Sequence, residues 1–361
     1  MRERVGRSHE PLRLPLCDVA AVRSILAGES VIDWHRLDLT SDEQVVRLLR
    51  VNEFNVEVPD DMRRLEGLRS ESVEYLRRAL GISVSRALSR DVPAMELLRI
   101  ASGKGRKQVT ACMILKVMHI IYHLDGHELH YRLPVSMDEL GSLAEAKVVQ
   151  VVDEIRTSVL PVVEFSWSRK TRESLITKLL AKRETFASRV YDRLRFRIVV
   201  EEVGDLVPLL WELQHRLIPF NYVIPGESIN RLVGPDELLV HLAPRRSVPG
   251  AGRQGSSIED LKSFETFPFQ VNEFSSPDYR IINFVADLPI RVEDFLPRLP
   301  VHQWDRDVVV TFIPAEFQIA DRETSEANEQ GNSNHEAYKA RQRSRVRTRL
   351  GTHPSSKDES Y

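Results

Sequence analysis

The sequence predicts an α+β protein in which an all-α region precedes a mixed β-sheet flanked by helices. Apolar residues recur at helical spacing up to about residue 160. Beyond that point, short segments with a period of two alternate with further helical segments. We therefore expect a helical N-terminal region at 1–160, an α+β domain at 161–350 and a flexible tail at 351–361.

The N-terminal region contains several predicted helices. Ser41 is typical of a helix N-cap, and the helical spacing continues at 71–88. Residues 109–124 are apolar nearly all round, which favours a buried helix, and Asp125-Gly126 predicts its end. A further capped helix is predicted at 136–157.

The α+β domain opens with a predicted amphipathic helix at 171–186 that is rich in Lys and Arg. Apolar residues then alternate with arginine at 194–200, which predicts a half-buried strand. Residues 225–257 are rich in Gly, Pro and Ser and predict a loop-rich insertion. The remaining predicted elements are a helix at 203–217, strands at 267–274, 280–286 and 308–319, and helices at 323–329 and 335–350.

Composition excludes several classes of protein. The chain has 51 basic and 53 acidic residues, and a net charge of −2 does not suggest a general nucleic-acid binder. Its two cysteines, Cys17 and Cys112, lie far apart and predict neither a disulfide framework nor a thiolate metal site. There is no apolar run of membrane-spanning length and no signal-peptide pattern, so we expect a cytoplasmic protein without a membrane contact.

A first cluster of candidate site residues is basic. Lys170, Ser174 and Lys178 are spaced four apart, so they would share one face of a helix. Cations on one face can bind the charge of a polyphosphate. The alternative is an ordinary solvated helix face.

A second cluster surrounds the start of the strand at 194–200. Asp192 stands just before it, where a carboxylate at the edge of a sheet can hold Mg²⁺. Arg195 and Arg197 would point to one side of the sheet, opposite Leu194 and Phe196. The alternative for Asp192 is a turn residue.

A third cluster lies on the strand predicted at 308–319. A period of two puts Glu316 and Gln318 on one face and Phe317 and Ile319 on the other. Glu316 could bind a metal ion or act as a base toward a hydroxyl. The alternative is an ordinary amphipathic edge strand.

In this order, the three clusters resemble the RelA/SpoT-type (alarmone synthetase) nucleotidyltransferase domain, of which the chain looks like a divergent member. The resemblance covers residues 170 to about 350 and leaves out the N-terminal region. It rests on Lys170-x3-Ser174-x3-Lys178, Asp192-x4-Arg197, Glu316-x-Gln318-Ile, Glu329-x-Gly331 and His335-x-x-Tyr338-Lys339.

The resemblance implies a nucleotidyltransferase-like fold and an enzyme of the stringent response. Such an enzyme moves pyrophosphate from ATP to the 3′-hydroxyl of a guanosine nucleotide such as GDP or GTP, with Mg²⁺ as cofactor. It implies that Asp192 and Glu316 are catalytic and hold the metal. It also implies nucleotide-binding roles for Lys170, Ser174, Lys178, Arg197, Tyr279, Gln318, His335 and Lys339.

The chain departs from the family pattern around the acceptor nucleotide. Where the family has Asn-Gly-Tyr-x-Ser-x-His, this chain has Asp278 before Tyr279 and ends in Asn283. Ser168 stands where the family has an arginine before Lys170. The acceptor is therefore open, and the alternative function is a catalytically degenerate regulatory module that binds nucleotide or RNA.

Two further features concern metals and partners. His119, His123, His127 and His130 lie close in sequence, but the predicted helix end at Asp125-Gly126 separates them, and we expect structural roles. The chain has no His-Asp dipeptide, so alarmone hydrolysis is not predicted. The basic C-terminal helix could contact RNA phosphates, and the alternative is a solvated end of the chain; homo-oligomerisation stays open.

Overall fold

The computed structural model describes residues 12–28, 39, 41–181, 194–243, 279–298, 308–330 and 335–350. Within them the predicted α+β class is confirmed, with a mixed five-stranded sheet flanked by helices. The strands are β1 (Val162–Arg169), β2 (Leu194–Val200), β3 (Ile229–Asn230), β4 (Ile282–Arg291) and β5 (Val310–Asp321). Their order is β1-β2-β5-β4-β3; β2 and β5 are parallel and the other neighbours antiparallel.

The helices largely follow the predicted pattern. In the first part of the chain they are α1 (Leu16–Ala27), α2 (Asp42–Val51), α3 (Pro59–Leu80), α4 (Glu96–Ala101), α5 (Arg106–Arg132) and α6 (Met137–Ser158). In the second part they are α7 (Arg172–Ala181), α8 (Leu206–Arg216), α9 (Pro235–Val240), α10 (Arg322–Glu329) and α11 (His335–Arg349). The caps predicted at Ser41 and Ser136 are confirmed, because each side chain accepts a hydrogen bond from the backbone N–H three residues later.

Two hydrophobic cores hold the helices and the sheet together. The larger joins the sheet to α1, α6, α8 and the end of α5, and the smaller joins α2, α3, α4 and the first half of α5. In the larger core, Phe196 stacks on Phe317 and Phe284 stacks on the other side of Phe317, with ring centroids 5.4 and 5.3 Å apart. The apolar positions of β2, β4 and β5 therefore face this core. The domain boundary near residue 160 stays a prediction.

The predicted helix end at Asp125-Gly126 is wrong. Helix α5 continues to Arg132, although its Val109 and Leu124 are exposed rather than buried. The glycine does not end the helix, because it serves close packing: a Cβ on Gly126 would lie 2.4 Å from Phe312 Cε2 and 3.0 Å from the Val310 carbonyl oxygen. The consequence is that His123 and His127 lie one turn apart on one continuous helix.

Other boundaries also differ from the sequence pattern. The helix expected to continue to residue 88 ends at Leu80, where Gly81 adopts a left-handed φ of 65° that ends the helix. Strand β1 was not predicted from the sequence. The insertion predicted at 225–257 contains β3 and α9.

The strand predicted at 267–274 and the tail at 351–361 lie outside the described residues. In the part of the chain that the structure describes, none of the helices has the length and apolar character to cross a membrane.

Candidate functional site

The candidate site lies on the polar face of the two parallel strands at the centre of the sheet. The register sets Arg195 opposite Glu316 and Arg197 opposite Gln318. Strand β4 adds Asn283, which pairs with Gln318. Because side chains alternate along each strand, these residues point away from the aromatic core on the opposite face.

Glu316 is the centre of this face. It is buried, and its Oε2 accepts a hydrogen bond from Arg195 Nε at 2.9 Å and lies 3.7 Å from Lys170 Nζ. Its Oε1 accepts a hydrogen bond from Gln318 Nε2 at 3.3 Å. We call Lys170, Arg195, Glu316 and Gln318 the Glu316 cluster. It unites one carboxylate with two cations that come from distant parts of the chain.

Lys170 reaches this cluster from a different element than the sequence predicted. It lies between the end of β1 and the start of α7, not on the helix. Ser174 is exposed in the first turn of α7, where its N–H donates to Thr171 Oγ1 at 3.3 Å, and Lys178 follows on the same helix. Lys170 is therefore not part of the helical face on which its spacing from Ser174 and Lys178 would have placed it.

Arg197 lies beside the cluster and joins three elements. Its Nη2 donates to Ser325 Oγ at 2.9 Å and lies 3.5 Å from Glu329 Oε1 in α10. Its Nε lies 3.4 Å from Glu164 Oε1 in β1. The guanidinium thus faces the rim of the polar face, partly exposed, with two carboxylates beside it.

The remaining predicted residues lie around this face. Tyr279 is half-buried just before β4, and its carbonyl accepts a hydrogen bond from Arg231 Nη1 at 3.0 Å. His335 begins α11 and Lys339 is exposed one turn later. Helix α11 contacts α7, since the Arg349 guanidinium donates to the Leu180 carbonyl. Asp192 lies outside the described residues.

The sequence placed Arg195 on the same side of the sheet as Arg197 but indicated no role for it at the site. Its alternation with Phe196 indicated the correct face of β2, but its partner depends on the pairing with a strand 121 residues later. Asn283 was also not recognised as part of this face. Its buried Oδ1 finds no hydrogen-bond donor among the described residues, so it can accept one from a ligand.

The arrangement has a clear chemical capability. Lysine and arginine side chains bind phosphate oxygens, and an ionised carboxylate between them can accept a proton from a hydroxyl. Binding of phosphate and acceptance of a proton are both available within one face of the sheet.

Comparisons with known proteins give similarity to solved structures alone. No family model matches the chain, and no curated protein matches it. The similar structures include small alarmone synthetase 2 from Bacillus subtilis, with 13% identity and a TM-score of 0.32, covering 59% of this chain and 93% of that one. Small alarmone synthetase 1 from Bacillus subtilis, bound to its product pppGpp, has 13% identity and a TM-score of 0.31, covering 60% of this chain and 88% of that one.

A GTP pyrophosphokinase family protein from Streptococcus pneumoniae has 13% identity and a TM-score of 0.30, covering 60% of this chain and 90% of that one. These neighbours are alarmone synthetases or pyrophosphokinases by name. At such low TM-scores the similarity carries no argument about the activity of this chain.

Proposed function

We propose that this protein is a Mg²⁺-dependent, pyrophosphokinase-like nucleotidyltransferase that moves pyrophosphate from ATP to the 3′-hydroxyl of a guanosine nucleotide or a related acceptor. The observation that carries the proposal is the convergence of Lys170 and Arg195 on the carboxylate of Glu316. Those residues lie on the face that also carries Arg197 and Gln318. The sequence motifs of the RelA/SpoT-type domain support the same activity.

The basic side chains bind the donor in this proposal. The triphosphate of ATP carries several negative charges, and Lys170 and Arg197 supply cations from two sides of the polar face. Phosphoryl transfer depends mainly on positioning and on neutralising this charge, so a fixed array of cations suits it.

Glu316 acts as the proton acceptor. The acceptor's 3′ oxygen forms a bond to the β-phosphorus of ATP, and the bond from that phosphorus to the α–β bridging oxygen breaks. The hydroxyl proton passes to Glu316, and AMP leaves with the bridging oxygen. Arg195 fixes the carboxylate in place through its 2.9 Å hydrogen bond, so it is a positioning residue.

The donor set is compatible with Mg²⁺. This ion is usually held by one or two carboxylates together with substrate phosphates. Glu316 supplies one carboxylate, and Asp192 is the second ligand that the sequence predicts. When bound, the ion neutralises charge on the transferred phosphates.

A second candidate function is a nucleotide-binding regulatory module without turnover. One observation favours it: both oxygens of Glu316 are already engaged, Oε2 by two cations and Oε1 by Gln318. In that case the Glu316 cluster is structural and the polar face binds nucleotide or RNA. Contact of α11 with RNA, homo-oligomerisation and a cytoplasmic location stay predictions.

The test is transfer of label from γ-labelled ATP, with Mg²⁺, to GDP, GTP, ADP, AMP or bulk transfer RNA. We expect Glu316→Gln and Asp192→Asn to lose at least about 100-fold in rate, as for loss of an acid–base group. Glu201→Gln is the matched control, because Glu201 pairs with Arg322 on an exposed surface. Transfer that survives Glu316→Gln contradicts the assigned mechanism. Calorimetric ATP binding without transfer to any acceptor favours the regulatory module.

A further inference from the structure

The structure assigns a binding site for a divalent transition-metal ion to His123, His127 and Asp287, none of which belongs to the Glu316 cluster, although Asp287 lies on the same face of the sheet. The two histidines lie on α5 and the aspartate on β4. We call these residues the α5–β4 triad. Their three potential ligand atoms lie within 4.8 Å of one another.

The continuous course of α5 creates the triad. Residues four apart on a helix share one face, so His123 and His127 point together toward the sheet. Helix α5 approaches β5 closely at Gly126, where the Thr311 hydroxyl donates to the Gly126 carbonyl at 3.0 Å. That approach brings both imidazoles to Asp287.

The distances fit coordination of one ion. Asp287 Oδ2 lies 3.0 Å from His123 Nε2 and 3.7 Å from His127 Nε2, and the two nitrogens are 3.1 Å apart. A point in the plane of these atoms lies about 1.9 Å from all three, close to the ~2.0–2.2 Å of Zn–N and Zn–O bonds. An ion slightly above this plane would have normal bond lengths and an open side toward solvent.

Hydrogen bonding alone satisfies the triad poorly. His123 Nε2 is close to both Asp287 Oδ2 and His127 Nε2, and a neutral imidazole nitrogen carries at most one proton. A proton that points at Asp287 leaves the contact between the two nitrogens without a well-aligned donor. A cation instead accepts a lone pair from each of the three atoms at once.

The surroundings suit a metal ligand set. Asp287 is 7% exposed, and the rings of Tyr222 and Phe312 pack against His123 with centroids 5.2 and 4.7 Å away. The half-exposed histidines give an ion access from solvent.

The ligand types select the class of ion. Two imidazoles and one carboxylate suit Zn²⁺, Co²⁺, Ni²⁺ or Fe²⁺, whereas Mg²⁺ and Ca²⁺ prefer an all-oxygen set. The ion would link α5, which contributes Ile114 and Leu129 to different hydrophobic cores, to the central sheet. A metal bound there would stabilise the contact between the helices and the sheet.

The test uses the full chain, treated with a chelator and dialysed, then titrated with Zn²⁺ and Co²⁺ by calorimetry. We expect one equivalent per chain and a melting temperature that rises with Zn²⁺ concentration. His127→Gln and Asp287→Asn should each weaken binding at least about 100-fold, because even loss of a residue that only hydrogen-bonds to a ligand costs about 10–100-fold. His130→Gln is the matched control, because His130 lies one turn further along α5 and outside the triad.

Each outcome decides the proposal. Saturable binding that is lost in His127→Gln and kept in His130→Gln supports it. Absence of saturable binding, or binding equal in His127→Gln and the wild type, overturns it. If Asp287→Asn fails to fold, the half-exposed His127→Gln variant decides alone. The readout is metal binding, so it is independent of the proposed pyrophosphate transfer.

Discussion

Arg195 and Glu316 face each other across the parallel strands β2 and β5, and Arg195 Nε donates to Glu316 Oε2 at 2.9 Å. The pair is asymmetric, since the side chain of Glu316 is 9% exposed and that of Arg195 is 26% exposed. Loss of the guanidinium would leave a buried carboxylate without this partner. Loss of the carboxylate would leave an arginine that water can still solvate.

This asymmetry predicts unequal costs of removing either partner. Arg195→Met removes the hydrogen bond to the buried Glu316, and Lys170 remains as a cation 3.7 Å from its carboxylate. We expect a loss of about 2–3 kcal/mol in the free energy of unfolding. Glu316→Gln should cost less, because Arg195 retains access to water. Urea denaturation measures both. Arg322→Met, in the exposed pair with Glu201, is the control and should change stability little. Equal costs for Arg195→Met and Glu316→Gln would contradict the prediction.

The candidate site was only partly predictable from sequence, and the reason is physical. A period of two assigns Glu316 and Gln318 to one face from local information alone. The partnership of Arg195 with Glu316 requires the strand register, which is set by packing between segments far apart in the chain. Strand β1 was missed for a similar reason, because its pairing with β2 is a tertiary contact.

The helix end at Asp125-Gly126 shows how packing overrides local propensity. Glycine weakens a helix interior, so the sequence favoured a stop there. The close approach to Phe312 makes glycine necessary within the helix instead. A helix that ended at Asp125 would not place His127 on the same face as His123. The sequence pattern therefore gave no reason to expect that Asp287 contacts both histidines.

Gly126→Ala should destabilise the protein, although alanine is normally the better helix former. The new Cβ would lie 2.4 and 2.6 Å from two ring carbons of the buried Phe312, so the ring or the helix must shift. We expect a loss of at least about 1–3 kcal/mol, as for overpacking of a core. Thermal or urea denaturation measures it.

Gly67→Ala is the control for this substitution. Gly67 lies on the exposed face of α3, and a Cβ there meets nothing within 4 Å. We expect it to stabilise the protein by about 0.5–1 kcal/mol. A stabilising Gly126→Ala would contradict the close packing of α5 on β5.

Asp61 joins the helical part of the chain to the sheet. It is fully buried on α3, and Arg291 on β4 donates to both of its oxygens, at 2.9 and 3.1 Å. Asp61→Asn removes the charge that balances Arg291 and the buried Arg64, so we expect a loss of about 3–5 kcal/mol. Urea denaturation monitored by circular dichroism measures it.

The neighbouring Asp60→Asn is the matched control, because Asp60 pairs with Arg63 on the exposed side of the same helical turn. It should have little effect. A similar small effect for Asp61→Asn would show that the buried network contributes little to stability.

The burial of His241 predicts that the protein loses stability in mild acid. This histidine is buried at the contact between residues 12–15 and residues 241–243. At this contact the Leu14 N–H donates a hydrogen bond to the His241 carbonyl at 2.7 Å. Burial lowers the pKa of His241, and nearby Arg13 lowers it further despite the hydrogen bond to the Leu12 carbonyl. The unfolded chain therefore takes up the proton first. The contribution of neutral His241 is present above about pH 6.5 and is lost as the pH falls through that value toward the lower folded pKa.

The measurement is the free energy of unfolding of wild type and His241→Gln at about pH 7.5 and pH 5.5, values on either side of the unfolded pKa. Glutamine does not titrate, so its variant should lose less stability between the two pH values than the wild type. The difference between the two proteins isolates His241 from other histidines, such as His119 and His215, whose pKa values partial or full burial also lowers. An unchanged difference at the two pH values would mean that His241 keeps its unfolded-state pKa and that its burial has no consequence for acid stability.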